Sequence, residues 1–272
     1  VRQVTAMLGL AAPHLDEVGA TPERPQAFRW EQDMIAPLVG SIAQLGSPDV
    51  TGARHVLTEV PTVSGVPDIV MAELNETAVA ARRSAGLRPV VDYSQVRTLL
   101  VVADGFRTVT AMSGATGLSV GHLRGNVLPA LATLGWVTPV RGRGAAAQVD
   151  AVHVLQPLGD ELVTVEAKKS AWQRAVHQAM RHTGSADSSY IALDAARADV
   201  AVEQRAAIAG LGVGVLLVDS PTGQVQVAAR PRAHVPDRAA HAVLAERVWQ
   251  LVLNGQTAGP SYPVFGRTLH AV

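Results

Sequence analysis

The chain contains no cysteine, which excludes disulfides, thiol nucleophiles and thiolate metal sites. It also lacks any apolar run close to the ~20 residues that span a bilayer. The early "AMLGLAAP" is short and is soon followed by Asp16 and Glu17. Residues 1–26 read as a Pro-containing lead-in rather than a targeting segment, and a soluble, cytoplasmic protein is the expectation. Charge of one sign is missing as well, since 23 Lys and Arg balance 23 Asp and Glu. No overall basic field announces a nucleic-acid partner, so any such partner must be held by a local patch. The phosphate-cradling pattern GxxxxGK[ST] and the elbow G-x-S-x-G are both absent, and "GLGVG" at 210–214 precedes a strand instead of opening a helix. Nucleotide hydrolysis and serine esterase chemistry are therefore unsupported.

What is present is enough apolar sequence in 272 residues for one large domain or two small ones. "PQAFRWEQDMIAPLVGSIAQLG" has the period of an amphipathic helix, with Phe28, Ile35 and Ile42 at heptad spacing and Leu38 and Leu45 on the same stripe. Glu31 falls on that stripe, so its carboxylate is expected to point inward. Pro37 predicts a kink or reset. "ARHVLTEVPTVSGVPDIVMAEL" reads as two strands around Ser64-Gly65. Alternation places Asp68 on one face with Val70 and Ala72, opposite Ile69 and Met71. Residues 76–93 read as a polar connection.

Three helical pieces follow over about 94–137, and "TPVRGRGAAAQVDAVHVLQPL" reads as a hairpin with a basic, glycine-rich tip. This stretch, about 94–158, resembles a winged helix-turn-helix, in which one helix enters the major groove of DNA and the wing touches the backbone. Its charges agree locally: Arg97, Arg107, Arg124, Arg141 and Arg143 stand against Asp104 up to residue 149. Gly121, Gly125 and Pro129 are poor helix residues for the recognition position. After residue 160 the pattern is β-α-β-α-β-β-α.

"TVEAKKSAWQRAVHQAMRH" carries the chemistry. In a strand, Glu166 and Lys168 share a face while Val165 and Ala167 pack the other way. With Pro67-Asp68 on an earlier strand, the "PD" at 67–68 and "EAK" at 166–168 resemble the PD-(D/E)XK nuclease family. Glu31 matches an extra acidic position that some members carry on a preceding helix. The resemblance implies a restriction endonuclease-like mixed sheet flanked by helices, over 27–75 and 160–272, interrupted by the winged-helix insert and its linkers at 76–159. It further implies that Asp68, Glu166 and Glu31 bind Mg2+, with Mn2+ as a substitute, and that Lys168 assists the attacking water. Gln178 matches a glutamine that many members place on the following helix. Some branches have a tyrosine four residues later, where this chain has His182.

The departure is spacing: Asp68 and Glu166 stand 98 positions apart, and removing 76–159 restores a short connection. Hard carboxylate oxygens suit magnesium, which keeps several waters, and a lysine ammonium reinforces stabilisation of charge developing on a phosphate. His177 and His182 read as helix-surface residues, and Trp30, Trp136, Trp172 and Trp249 suit core packing. Lys169 should face the backbone. The expectation is a Mg2+-dependent deoxyribonuclease whose insert grips duplex DNA through Arg124, Arg141, Arg143 and His122. A homodimer would supply two sites for double-strand cleavage. The alternatives are a non-cutting DNA-binding regulator on the same fold, a nuclease for RNA or for branched or single-stranded DNA, and an insert that binds a protein.

Overall fold

The computed structural model describes residues 26–46, 52–144 and 147–260, with two short paired strands beyond them. The predicted lead-in, apart from Gln26, lies outside the described residues. The first element winds as a 3-10 turn (Glu31–Met34), then α1 (Ile35–Ser41), then a second 3-10 turn (Ile42–Leu45). The reset comes just before Pro37, where its missing N–H falls in the first turn of α1 and costs no hydrogen bond. Strands β1 (Arg54–Thr58) and β2 (Ile69–Leu74) pair antiparallel. Residues 76–93 are not only a connection: α2 (Glu76–Ser84) occupies the start, capped by Asn75, whose side chain accepts from Ala78 N–H. Such caps stabilise a helix by ~1 kcal/mol, enough to set an alanine-rich polar stretch helical.

Three helical segments then follow as the periodicity predicts. They are α3 (Tyr93–Ala103), α4 (Val109–Thr116), and α5 (Val120–His122), which runs through a π-turn at Leu123–Val127 into α6 (Leu128–Thr133). Gly117 takes φ 69° to turn the chain between α4 and α5, a conformation glycine adopts without steric cost. Pro129 is tolerated because it sits in the first turn of α6, directly after the π-turn. The segment after α6 doubles back through bridges Val137 to Ala151 and Arg141 to Gln148.

The remaining elements are β3 (Gly159–Lys168), α7 (Trp172–His182), β4 (Ser188–Asp194), α8 (Asp199–Glu203), α9 (Arg205–Gly210), β5 (Val213–Val218), β6 (Val225–Ala229), α10 (Arg238–Leu253), β7 (Pro263–Val264) and β8 (Arg267–Thr268). The result is a mixed α/β fold with a six-stranded sheet in the order β1-β2-β3-β4-β5-β6. β3, β4 and β5 run parallel, which requires crossovers; α7 and the α8–α9 pair supply them. The outer pairings are antiparallel.

Strand alternation divides the core. Ile69, Met71, Val163, Val165 and Ala167 pack with Met34, Leu38 and Ile42 on one face. Val70, Ala72 and Leu162 meet Leu244, Val248 and Trp249 of α10 on the other. A separate cluster gathers Val96, Leu99, Met112, Leu123, Leu128, Trp136 and Val149 with Val243 of α10. Between these regions Arg82 lies against the rings of Trp136 (4.9 Å) and Trp249 (5.6 Å) and ion-pairs with Glu246. No helix among the described residues is long and apolar enough to cross a membrane.

Candidate active site

The C-terminal end of β3 brings ionisable side chains from three segments together. The register Ile69 to Val165 between β2 and β3, continued one step, sets Asp68 opposite Glu166. Asp68 Oδ2 accepts a hydrogen bond from Ala167 N–H at 2.7 Å. Lys168 Nζ lies 2.7 Å from Glu31 Oε1 and 3.8 Å from Asp68 Oδ2, and it donates to the Ala167 carbonyl at 2.7 Å. Three segments far apart in sequence therefore bring Glu31, Asp68, Glu166 and Lys168 to one strand end.

Glu31 does not point inward as the helical stripe predicts. Its side chain is 46% exposed, because it opens the element between Phe28 and Met34, the residues that are buried on either side of it. It lies on the rim and reaches the cluster through Lys168. Trp30 departs from expectation too: it is 56% exposed, with the Arg29 guanidinium 5.4 Å from its ring, since it sits in extended backbone ahead of the helix. Lys169 does face the backbone, donating to the Arg29 carbonyl at 2.8 Å.

Acid outweighs base here. Burial, then the negative charge of Glu166, and more weakly that of Glu31, push the Asp68 carboxyl up to about 6. Lys168 and the Ala167 N–H pull the other way without cancelling the rise. A cluster that crowds carboxylates beyond what its cation neutralises favours an added cation.

Glu166 and His182 form the part that the sequence did not reveal. His182 is no surface residue: it is 2% exposed, and its Nε2 lies 2.9 Å from Glu166 Oε1, itself on a side chain of 2% exposure. The inward face of α7 carries Ala175, Ala179 and then His182, and this spacing puts His182 over Glu166. A polar residue at a helix end reads as exposed until its strand partner is known. Gln178, one turn earlier, forms no hydrogen bond with Lys168, and its Oε1 is buried without a partner among the described residues.

Composition carried another signal. Lys168 and Lys169 are the only lysines in the chain, every other basic side chain in the Lys and Arg count being arginine. A lysine at this strand end supplies a compact ammonium with three rotatable donors, which the planar guanidinium does not.

Among the described residues no three His, Asp or Glu side chains stand close enough together to hold a metal ion. Magnesium asks for less, one or two protein carboxylates with waters and a phosphate completing the octahedron. Asp68 and Glu166 meet that requirement, because Asp68 Oδ1 and Glu166 Oε2 carry no hydrogen bond among the described residues. Glu31, engaged by Lys168, stands at the edge of this pair.

The predicted DNA contacts lie on the helical segments and their hairpin. His122 is exposed and hydrogen-bonded to Asn126 at 3.1 Å, and Arg124 is half-buried. Arg143 is exposed at the hairpin tip. Arg141 is exposed as well but ion-pairs with Asp150, which reduces the free positive charge there. Comparison with protein families, with curated proteins and with solved structures finds no match for this chain.

Proposed function

We propose that the chain is a divalent-metal-dependent DNA endonuclease of the PD-(D/E)XK type, with a winged helix-turn-helix formed by residues of the 76–159 segment that binds duplex DNA. The observation that carries this reading is the meeting of Asp68, Glu166 and Lys168 at one strand end despite their separation in sequence. Asp68 and Glu166 would hold Mg2+ or Mn2+, with Glu31 bound through water or serving as the partner of Lys168. The bound metal would neutralise charge on the scissile phosphate and lower the pKa of water. Lys168 Nζ, within reach of Asp68, would orient the attacking water and offset charge that grows on the phosphate oxygens. The backbone N–H of Ala167 fixes Asp68, so one of its oxygens stays free. Arg143, Arg124 and His122 would contact DNA, mainly at phosphates, which position the duplex without reading its sequence. A second copy of the chain would provide the other cut of a double-strand break.

A second reading, a DNA-binding regulator that does not cut, is favoured by one observation: protein partners already engage the site, His182 at one oxygen of Glu166 and Glu31 at Lys168. Supercoiled plasmid, linear duplex, single-stranded DNA and RNA, each incubated with Mg2+ or Mn2+, separate the readings. The nuclease reading predicts metal-dependent nicking or cutting of duplex DNA. Binding of duplex without cleavage of any substrate would favour the regulator, and cleavage of RNA or single strands alone would move the substrate.

A further inference from the structure

We infer that His182 is a positioning residue for metal binding, holding Glu166 so that one of its oxygens faces the cation; this rests on the nuclease reading above. The Glu166 carboxylate, nearly inaccessible to water, has one hydrogen-bond partner among the described residues, His182 Nε2 at 2.9 Å. That bond holds Oε1 and turns the carboxylate so that Oε2, without a partner among the described residues, would be offered to a metal. The imidazole is itself fixed from behind. Its Nδ1 lies 3.2 Å from Thr62 Oγ1, whose one hydroxyl proton is within reach of that nitrogen and of the Gly65 carbonyl at 2.9 Å. Thr62 N–H closes the same turn onto that carbonyl at 2.7 Å. Gly65 lies against the ring edge, where an added Cβ would stand 3.2 Å from His182 Cε1.

The turn that clamps His182 runs on through Val66 and Pro67 to Asp68. One loop therefore sets both carboxylates: Asp68 directly, and Glu166 through His182. Partners of this kind, hydrogen-bonded to a ligand carboxylate, change metal affinity by roughly 10–100-fold when removed.

The test is Mn2+ affinity, read from free Mn2+ by electron paramagnetic resonance on the full chain, together with the metal dependence of duplex cleavage. Wild type is compared with His182→Leu, His182→Gln and Thr62→Val. A glutamine amide donates from nearly the position of Nε2, so His182→Gln should stay within about threefold of wild type, given how far ligand-partner effects usually reach. His182→Leu should bind Mn2+ 10–100-fold more weakly, with kcat recovering as metal is raised, and Thr62→Val should fall between. A purely structural role would lower the folded fraction and leave the metal half-saturation of the folded enzyme unchanged. Wild-type affinity in a folded His182→Leu would overturn the inference while leaving the nuclease reading intact. Should that variant not fold, unchanged affinity in Thr62→Val overturns it instead. A wild-type chain that binds no Mn2+ overturns both.

Discussion

Two of the places that bury charge differ in how it is balanced. At the junction of α2 and α10, Arg82 and Glu246 are 5% and 2% exposed, and each answers the other. Glu246 also accepts from Val90 N–H at 2.9 Å, Arg82 donates to the Gln156 carbonyl at 3.0 Å, and two tryptophan rings cover the guanidinium. Burial raises the Glu246 pKa and Arg82 opposes the rise, with no second acid involved. At the end of β3, Lys168 meets the carboxylates of Glu31 and Asp68, and the charge of Glu166 adds to burial in raising Asp68. The first arrangement is closed and neutral, as a structural pair must be. The second holds more acid than Lys168 offsets, an imbalance that the proposed nuclease reading would use to hold a cation.

Breaking the closed pair should produce the largest effect. Arg82→Ala leaves Glu246 buried without its cation and should cost about 3–5 kcal/mol, read from urea unfolding, while the double variant Arg82→Met/Glu246→Leu should recover most of that loss. Removing charge from the acid-rich site should do the opposite. The folded state holds the Asp68 proton up to about 6, whereas an unfolded aspartate releases it near 3.9. Stability from this group is therefore fully present at low pH, is lost as pH rises towards 6, and stays at its lowest above that. Asp68→Asn should accordingly be more stable than the metal-free wild type at pH 8 and equal to it near pH 3.5. Since the side chain is 33% exposed, screening limits the gain to about 1–2 kcal/mol. Unfolding curves at the two pH values check it, and added Mn2+ should narrow the gap by stabilising wild type alone.

Smaller effects distinguish the charges on the surface. Arg143→Ala should reduce the salt slope of duplex binding by about 1, the amount for one lost phosphate contact. Arg141→Ala should reduce it less, because Asp150 already engages that guanidinium. Equal slopes for wild type and both variants would remove the hairpin from the DNA interface. Glu31→Gln should change stability by no more than ~1 kcal/mol, the scale of a half-exposed ion pair, and its effect on cleavage would show whether Glu31 does more than restrain Lys168.

Much of the sheet was legible in the sequence because alternation is a local property: the faces of β2 and β3, and the pairing of Glu166 with Lys168 on one side, follow from period 2 alone. The kinship of Asp68 with that strand end was legible only through the resemblance of its motif, since nothing local links positions so far apart. Other features depended on partners. Asn75 made α2 a helix where polar composition suggested a connection, and at 120–133 a π-turn took up Gly125 while Pro129 fell in the first turn of α6. His182 was hidden for a related reason, because its burial depends on where α7 lies over β3. Trp30 and Glu31 failed in the opposite sense, since a helical period extends to residues that the folded helix does not cover.

The central claim is that Lys168, among these acids, serves hydrolysis of phosphodiester bonds. Single-turnover cleavage of a labelled duplex by wild type and by Lys168→Ala, each saturated with Mg2+ and matched for DNA binding, tests it most directly. The account predicts metal-dependent cutting by wild type and a rate at least ~100-fold lower in the variant, the scale at which loss of one charge-stabilising donor is felt. Equal rates, or tight binding with no cutting by wild type, would contradict it.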